Sequence, residues 1–246
     1  MKTTPYLTLA LMLASGTLAH AQFALSLPKA PSAAPSSDAG SDPAALLAKG
    51  NRLIVFSTIA TDLDVSSAQK MLEAFPPAKI AKIKAKFAKY DELKSKRADK
   101  DQLDADSCTV ASDAFEEMAK LNVEGYDKAK AKVVVPAYSQ MGLAAGADGI
   151  AATQLPPFVK SVQSTITSLA GNPLQASKVI KLKDQVAVTN ALVVNTPKQV
   201  NAMKTVRGMA KKIADAEHFK LGEPKVPTTV DPEALAKASK AEQVEG

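Results

Sequence analysis

Few residues in this chain have the type and spacing to do chemistry. Outside the first 21 residues there is one histidine, His218, and one cysteine, Cys108. A zinc site draws on several nitrogen or sulfur ligands, and one of each does not supply them. "DAEHFK" around His218 lacks the second histidine of a zincin, and no nucleophile elbow is present for a serine hydrolase. Ser67-Ala68-Gln69-Lys70 spells the S-x-x-K of penicillin-binding enzymes, but neither S-D-N nor K-T-G accompanies it. Asp99, Asp101, Asp104 and Asp106 resemble a calcium loop, yet Leu103 falls at the fifth position and no glycine follows. Lys96, Arg97 and Lys100 offset those acids, so a solvated charged surface is the expectation. These readings predict no catalytic residue, no metal and no cofactor.

Two groups remain as candidate contact surfaces. Gly142, Gly146 and Gly149 lie in "MGLAAGADGIAAT", where small residues at helical spacing allow close approach, either to another helix or in lipid. Pro136, Tyr138, Ser139, Gln140 and Asp148 lower the apolarity of 133–153, which favours a packing seam over membrane insertion. Lys79, Lys82, Lys86 and Lys89 share one face of a helix and offer a contact for an anionic surface. The formal charge is +6, carried almost wholly by lysine, and the arginines are Arg52, Arg97 and Arg207. With aromatics at 4% and tryptophan absent, the arginine forks and stacking rings of a nucleic-acid binder are missing. Cys108 fits the apolar stripe of a helix, so it reads as a small buried residue, with an intermolecular disulfide as the alternative.

The elements that must position these residues are helices. Hydrophobic content of 46% is that of a globular protein, and alanine, the best helix former, supplies much of it. Lys2, the apolar run Tyr6–Leu13 and Ala19-His20-Ala21 have the three parts of a secretory signal peptide over 1–21, cleaved at Ala21/Gln22. That predicts a periplasmic or secreted protein. Residues 22–42 are rich in Pro, Ser and Ala and read as a disordered linker. A helical bundle domain is expected over 43–222, and a flexible tail over 223–246 with room for one loose helix after Pro232. Removal of the leader leaves about 225 residues, enough for one sizeable core.

Asp42-Pro43 is an N-cap followed by proline at the first helical position. Residues at three- and four-residue steps then run to Phe75, with Ser57, Thr61 and Asp64 as polar breaks in the stripe. Pro76-Pro77 starts the next element over 77–122, either one helix or two with a charged break, and the continuous helix is favoured because no glycine or proline lies in the break. Pro156-Pro157 and Thr196-Pro197 are read as boundaries between later helices. The fold class is therefore all-α: an elongated up-and-down bundle of about six helices, with long helices at 43–75 and 77–122. The function expected is that of a non-enzymatic, exported binding protein, accessory or chaperone-like, whose partner is a protein or an anionic envelope component. The alternative is a membrane-active protein that inserts 133–153 into lipid.

Overall fold

The computed structural model describes residues 42–97, 99 and 102–244, and is all-helical among them. The expected signal peptide, and the linker apart from Asp42, lie outside the described residues. Six α-helices follow in order: α1 (Pro43–Leu72), α2 (Pro77–Lys96), α3 (Ala105–Met118), α4 (Val134–Leu169), α5 (Ala176–Ala216) and α6 (Pro232–Val244). Short 3-10 turns at Lys128–Val133 and Pro173–Gln175 lead into α4 and α5. The centre of the bundle is α4, packed along α5 on one side and α1 on another. On α5 sits α3, which also packs with α2, while α6 crosses α1 and α4.

Local chemistry explains most of the helix starts. The Asp42 side chain accepts from the Ala44 N–H at 3.2 Å, and Pro43 follows it at the first helical position. Asp104 caps α3 by accepting from the Ser107 N–H at 2.6 Å. Aromatic rings then fix the packing. Phe87 of α2 and Phe115 of α3 meet with centroids 5.6 Å apart and planes tilted by 59°, joining the two helices edge to face. Phe56, Tyr90 and Phe158 are also fully buried, with Met71, Met118 and Met141 filling the spaces between them.

The single helix expected over 77–122 is corrected to two. The chain leaves α2 at Arg97, whose backbone is extended and whose side chain turns inward. Its guanidinium lies 5.2 Å from the Tyr90 ring centre and 3.9 Å from Asp62, and its Nε donates to the Ser107 hydroxyl at 3.4 Å. Leu103, also buried, hands its N–H to Thr58 Oγ1 of α1 at 2.9 Å. Docking of Arg97 and Leu103 onto α1 bends the chain back where a continuous helix would have carried it into solvent.

Two other boundaries dissolve. Pro156 and Pro157 lie inside α4, and Pro197 inside α5. A proline within a helix removes one hydrogen bond and costs about 3 kcal/mol. All three point to solvent while Leu155, Phe158, Val159 and Thr196 beside them are buried, so packing of the inward face carries the helix through. The end of α5 is set by His218 rather than Gly222. His218 adopts φ +57°. The Phe219 N–H returns to the Ala214 carbonyl at 2.8 Å and the His218 N–H to Asp215 at 3.3 Å, the two bonds of a Schellman cap.

The stretch 223–244, expected to lack a docking face, packs on the bundle. An extended strap over 219–231 leads to α6, whose Leu235 is fully buried and whose Ala238 packs against the core. Glu223 accepts from Tyr138 and pairs with Arg207, and the Ser139 hydroxyl bonds Glu242.

Candidate functional site

Three places in the bundle bring functional groups together: the glycine seam, the lysine face of α2 and a polar centre in the core. A fourth, on α5, has no counterpart among the candidate residues read from the sequence.

At the seam, the neighbour of the glycines is the strap. A methyl built on Gly146 would meet Val226 Cγ2 at 2.6 Å and Cβ at 3.0 Å. On Gly142 it would meet the Arg207 guanidinium at 2.9 Å and Pro224 at 3.0 Å. Gly149 faces open space and takes no part. Arg207 is stacked 3.9 Å over the Tyr138 ring, donates to the Tyr138 carbonyl at 3.3 Å and pairs with Glu223. Gly142 and Gly146 thus clear the surface of α4 for Arg207 and for a length of extended chain.

The α2 lysines are engaged within the molecule. Lys79 donates to the Glu124 carbonyl at 2.8 Å, Lys82 pairs with Glu117 at 2.7 Å, Lys86 reaches the Asp113 carbonyl at 3.3 Å and Lys89 pairs with Glu92 at 3.0 Å. Three of the four therefore tie α2 to α3 and the connection after it. Lys79, Lys82 and Lys89 remain exposed and Lys86 is half-buried, but each already has an oxygen partner.

The polar centre arises because α1 carries Ser57, Thr61 and Asp64 along its inward stripe, all buried. Thr61 Oγ1 lies 3.5 Å from Gln199 Oε1 of α5, and Gln199 Nε2 donates to the Cys108 carbonyl of α3 at 3.3 Å. Asp148 of α4 comes into the same region, where its charge acts on Cys108 and on Asp64. Asp64 and Asp148 are 0% and 1% exposed, and none of their four carboxyl oxygens receives a hydrogen bond from a donor side chain or backbone N–H. Burial, reinforced by the Asp148 charge, holds the Asp64 carboxyl well above the ordinary carboxylate range, and burial raises Asp148 to about 7. The two carboxyls act on one another across the core, and of the two Asp64 is the one whose proton is held by both burial and its neighbour's charge. Cys108 is fully buried, and burial pushes its thiol up to about 12. At neutral pH it is a thiol and not a nucleophilic thiolate. Among the described residues no group of three or more His, Cys, Asp or Glu is placed to hold a metal ion.

On the outside, large exposed hydrophobic residues lie in the turn before α5 and along its first half. Leu174 is 89% exposed, Ile180 60% and Val194 58%. Ile180, Ala187 and Val194 recur at seven-residue steps, so they lie on one side of the helix, and all three face solvent. Lys178, Lys181 and Lys183 are exposed beside them and form no ion pair among the described residues. This stripe was open to sequence reading, but "VAVTNALVV" carries apolar residues on both faces and conceals which side has no partner. No described helix is long and apolar enough to cross a membrane. Compared with family models, curated proteins and solved structures, the chain matches none.

Proposed function

We propose that this is an exported helical protein that binds another macromolecule through the outward face of α5 and does no chemistry on it. The observation that carries the reading is the stripe Ile180, Ala187 and Val194, with Leu174 exposed in the turn before it and lysines beside it that form no ion pair among the described residues. Exposed apolar side chains grouped on one element mark interaction surfaces, whereas scattered ones do not. The lysines select a partner with an apolar face and an acidic rim, a protein or an anionic envelope component. A non-catalytic role is supported by the interior: Asp64, Asp148 and Cys108 are sealed from any substrate. Export rests on the three-part leader at 1–21, and intact mass of the protein from the periplasm or culture medium tests it: a chain beginning at Gln22 is expected.

A photoreactive amino acid at position 180 or 187 tests the surface in cells. A discrete adduct is expected there, absent from a probe at Gln163 and, for the probe at 187, lost on Ile180→Glu with Val194→Glu. Equal labelling at all three positions overturns the reading. Insertion of 133–153 into lipid would require α4 to leave the core, because Gly142, Leu143, Ala144 and Ala147 are buried. Flotation of the mature protein with anionic vesicles separates the readings. Co-flotation that survives Ile180→Glu/Val194→Glu and fails on Gly146→Lys would favour insertion.

A further inference from the structure

Asp64 of α1 and Asp148 of α4 are both buried, on two helices that pack together to build one side of the core, and lie near enough for the Asp148 charge to act on Asp64. Four buried carboxyl oxygens without a donor cannot be two carboxylates: each would keep its full desolvation cost and repel the other. One proton resolves both problems, since a carboxylic acid donates to the carboxylate opposite and neutralises half of the pair. We propose that Asp64 and Asp148 form a proton-binding site between α1 and α4, and that emptying it loosens this interface, so that the bundle weakens as the surroundings turn alkaline. The ligand is the proton, and the readout is the hold of α1 on α4.

The surroundings leave the pair to itself. Among the described residues, Asp148 is the charge that acts on Asp64. From α3 the titratable group is Cys108, a neutral thiol, and beyond it Asp104 and Arg97 act on Cys108. From α2, Tyr90 and Lys94 are bound to Asp62. From α5 the inward group is the uncharged Gln199, while Arg207 is held by Glu223. From α6, Glu242 is bonded to Ser139.

The sign follows from linkage. Both carboxyls are raised above their unfolded value of 3.8, so between about pH 4 and the folded values the native state holds more protons than the unfolded chain. The stabilisation is complete below the unfolded value, falls as pH rises above it and is fully lost above the folded values, the share of Asp148 being gone above about 7. Each extra proton changes the ratio of folded to unfolded protein by up to about tenfold per pH unit. Glu117 and Glu223, whose carboxyls are lowered, act in the opposite sense and only at acid pH.

Urea unfolding of the mature chain from pH 5 to 8 tests this, with Asp64→Asn, Asp148→Asn and the double variant beside the parent. The folded-to-unfolded ratio of the parent is expected to fall by up to about tenfold per unit for each proton. The fall should be flattened in the double variant, which is then more stable than the parent at pH 8. A His218→Gln background should keep the slope. A flat or rising parent profile, or an unchanged slope in the double variant, overturns the proposal. Should the amide variants fail to fold, carbon-13 carboxyl resonances of aspartate-labelled parent decide: a protonated aspartate at pH 6 supports the site, and wholly ionised aspartates refute it. The same unfolding series with EDTA, calcium and zinc should show no change. A rise in stability with either cation that needs both aspartates would make this a cation site and overturn the proton assignment.

Discussion

Replacing Gly146 by alanine sets two effects of similar size against each other. A glycine in the interior of a helix is less favourable than alanine by up to about 1 kcal/mol, so on an open surface the change stabilises α4. Here the new methyl would lie 2.6 Å from Val226 Cγ2, and carbon atoms rest at about 3.5–4.0 Å, so Val226 must retreat by about 1 Å. Val226 is 36% exposed in its place on α4. Full burial of a valine is worth about 1.5–3 kcal/mol, so losing the covered part of this one costs about 1–2 kcal/mol. The net change expected for Gly146→Ala is between zero and a loss of about 1 kcal/mol. Gly146→Leu should lose about 1–3 kcal/mol. The cycle with Val226→Gly isolates the contact. Without the valine side chain, Gly146→Ala should become stabilising by up to about 1 kcal/mol, a reversal of sign. Urea midpoints of the four proteins at one pH give the coupling. An equal gain from Gly146→Ala with and without Val226 would refute the strap as the reason for this glycine.

Two other substitutions and a labelling experiment follow from the same packing. His218→Gly removes a side chain from a left-handed position that costs an ordinary residue about 1–2 kcal/mol, and thermal unfolding should show a gain of up to about 1 kcal/mol. Leu235→Ala empties the buried anchor of α6 and should cost about 2–5 kcal/mol, which in a chain of this size lowers the melting temperature by roughly 2–4 °C per kcal/mol. A melting temperature unmoved by deleting 223–246 would show that the strap and α6 do not hold the fold. Cys108 should resist a thiol reagent at pH 8 in the native protein and react at once in urea, because the thiol is both buried and raised to about 12. Rapid native labelling would contradict its placement.

Much of the bundle was legible because helix starts are local. Asp42-Pro43 and Pro76-Pro77 give the beginnings of α1 and α2 without reference to the rest of the chain. The break between α2 and α3 was harder, since nothing near Arg97 disfavours a helix. It is caused by Asp62, Tyr90 and Thr58 on other elements, although Asp104 as an N-cap was readable. Prolines misled for the converse reason. Local preference ends a helix at Pro156 and Pro197, and burial of the residues beside them overrides it. α6 has one strongly apolar anchor, Leu235, and no long stripe, so its docking face is supplied by α1 and α4 rather than by its own pattern. The polar centre was half visible. Asp64 stood out as a charge in an apolar stripe and Asp148 as the lone charge of its segment, but only the packing of α1 on α4 shows that they meet.

Hydroxyl-radical footprinting of α5, on the purified mature protein and on the protein in its native compartment, tests the binding face. Leu174, Ile180 and Val194 are expected to oxidise readily in the purified protein, in keeping with their exposure of 89%, 60% and 58%. In the native compartment they should be shielded together, while exposed residues on α2 such as Lys84 and Lys96 keep their reactivity. Equal oxidation of Leu174, Ile180 and Val194 in the two settings would contradict α5 as the surface on which the partner sits.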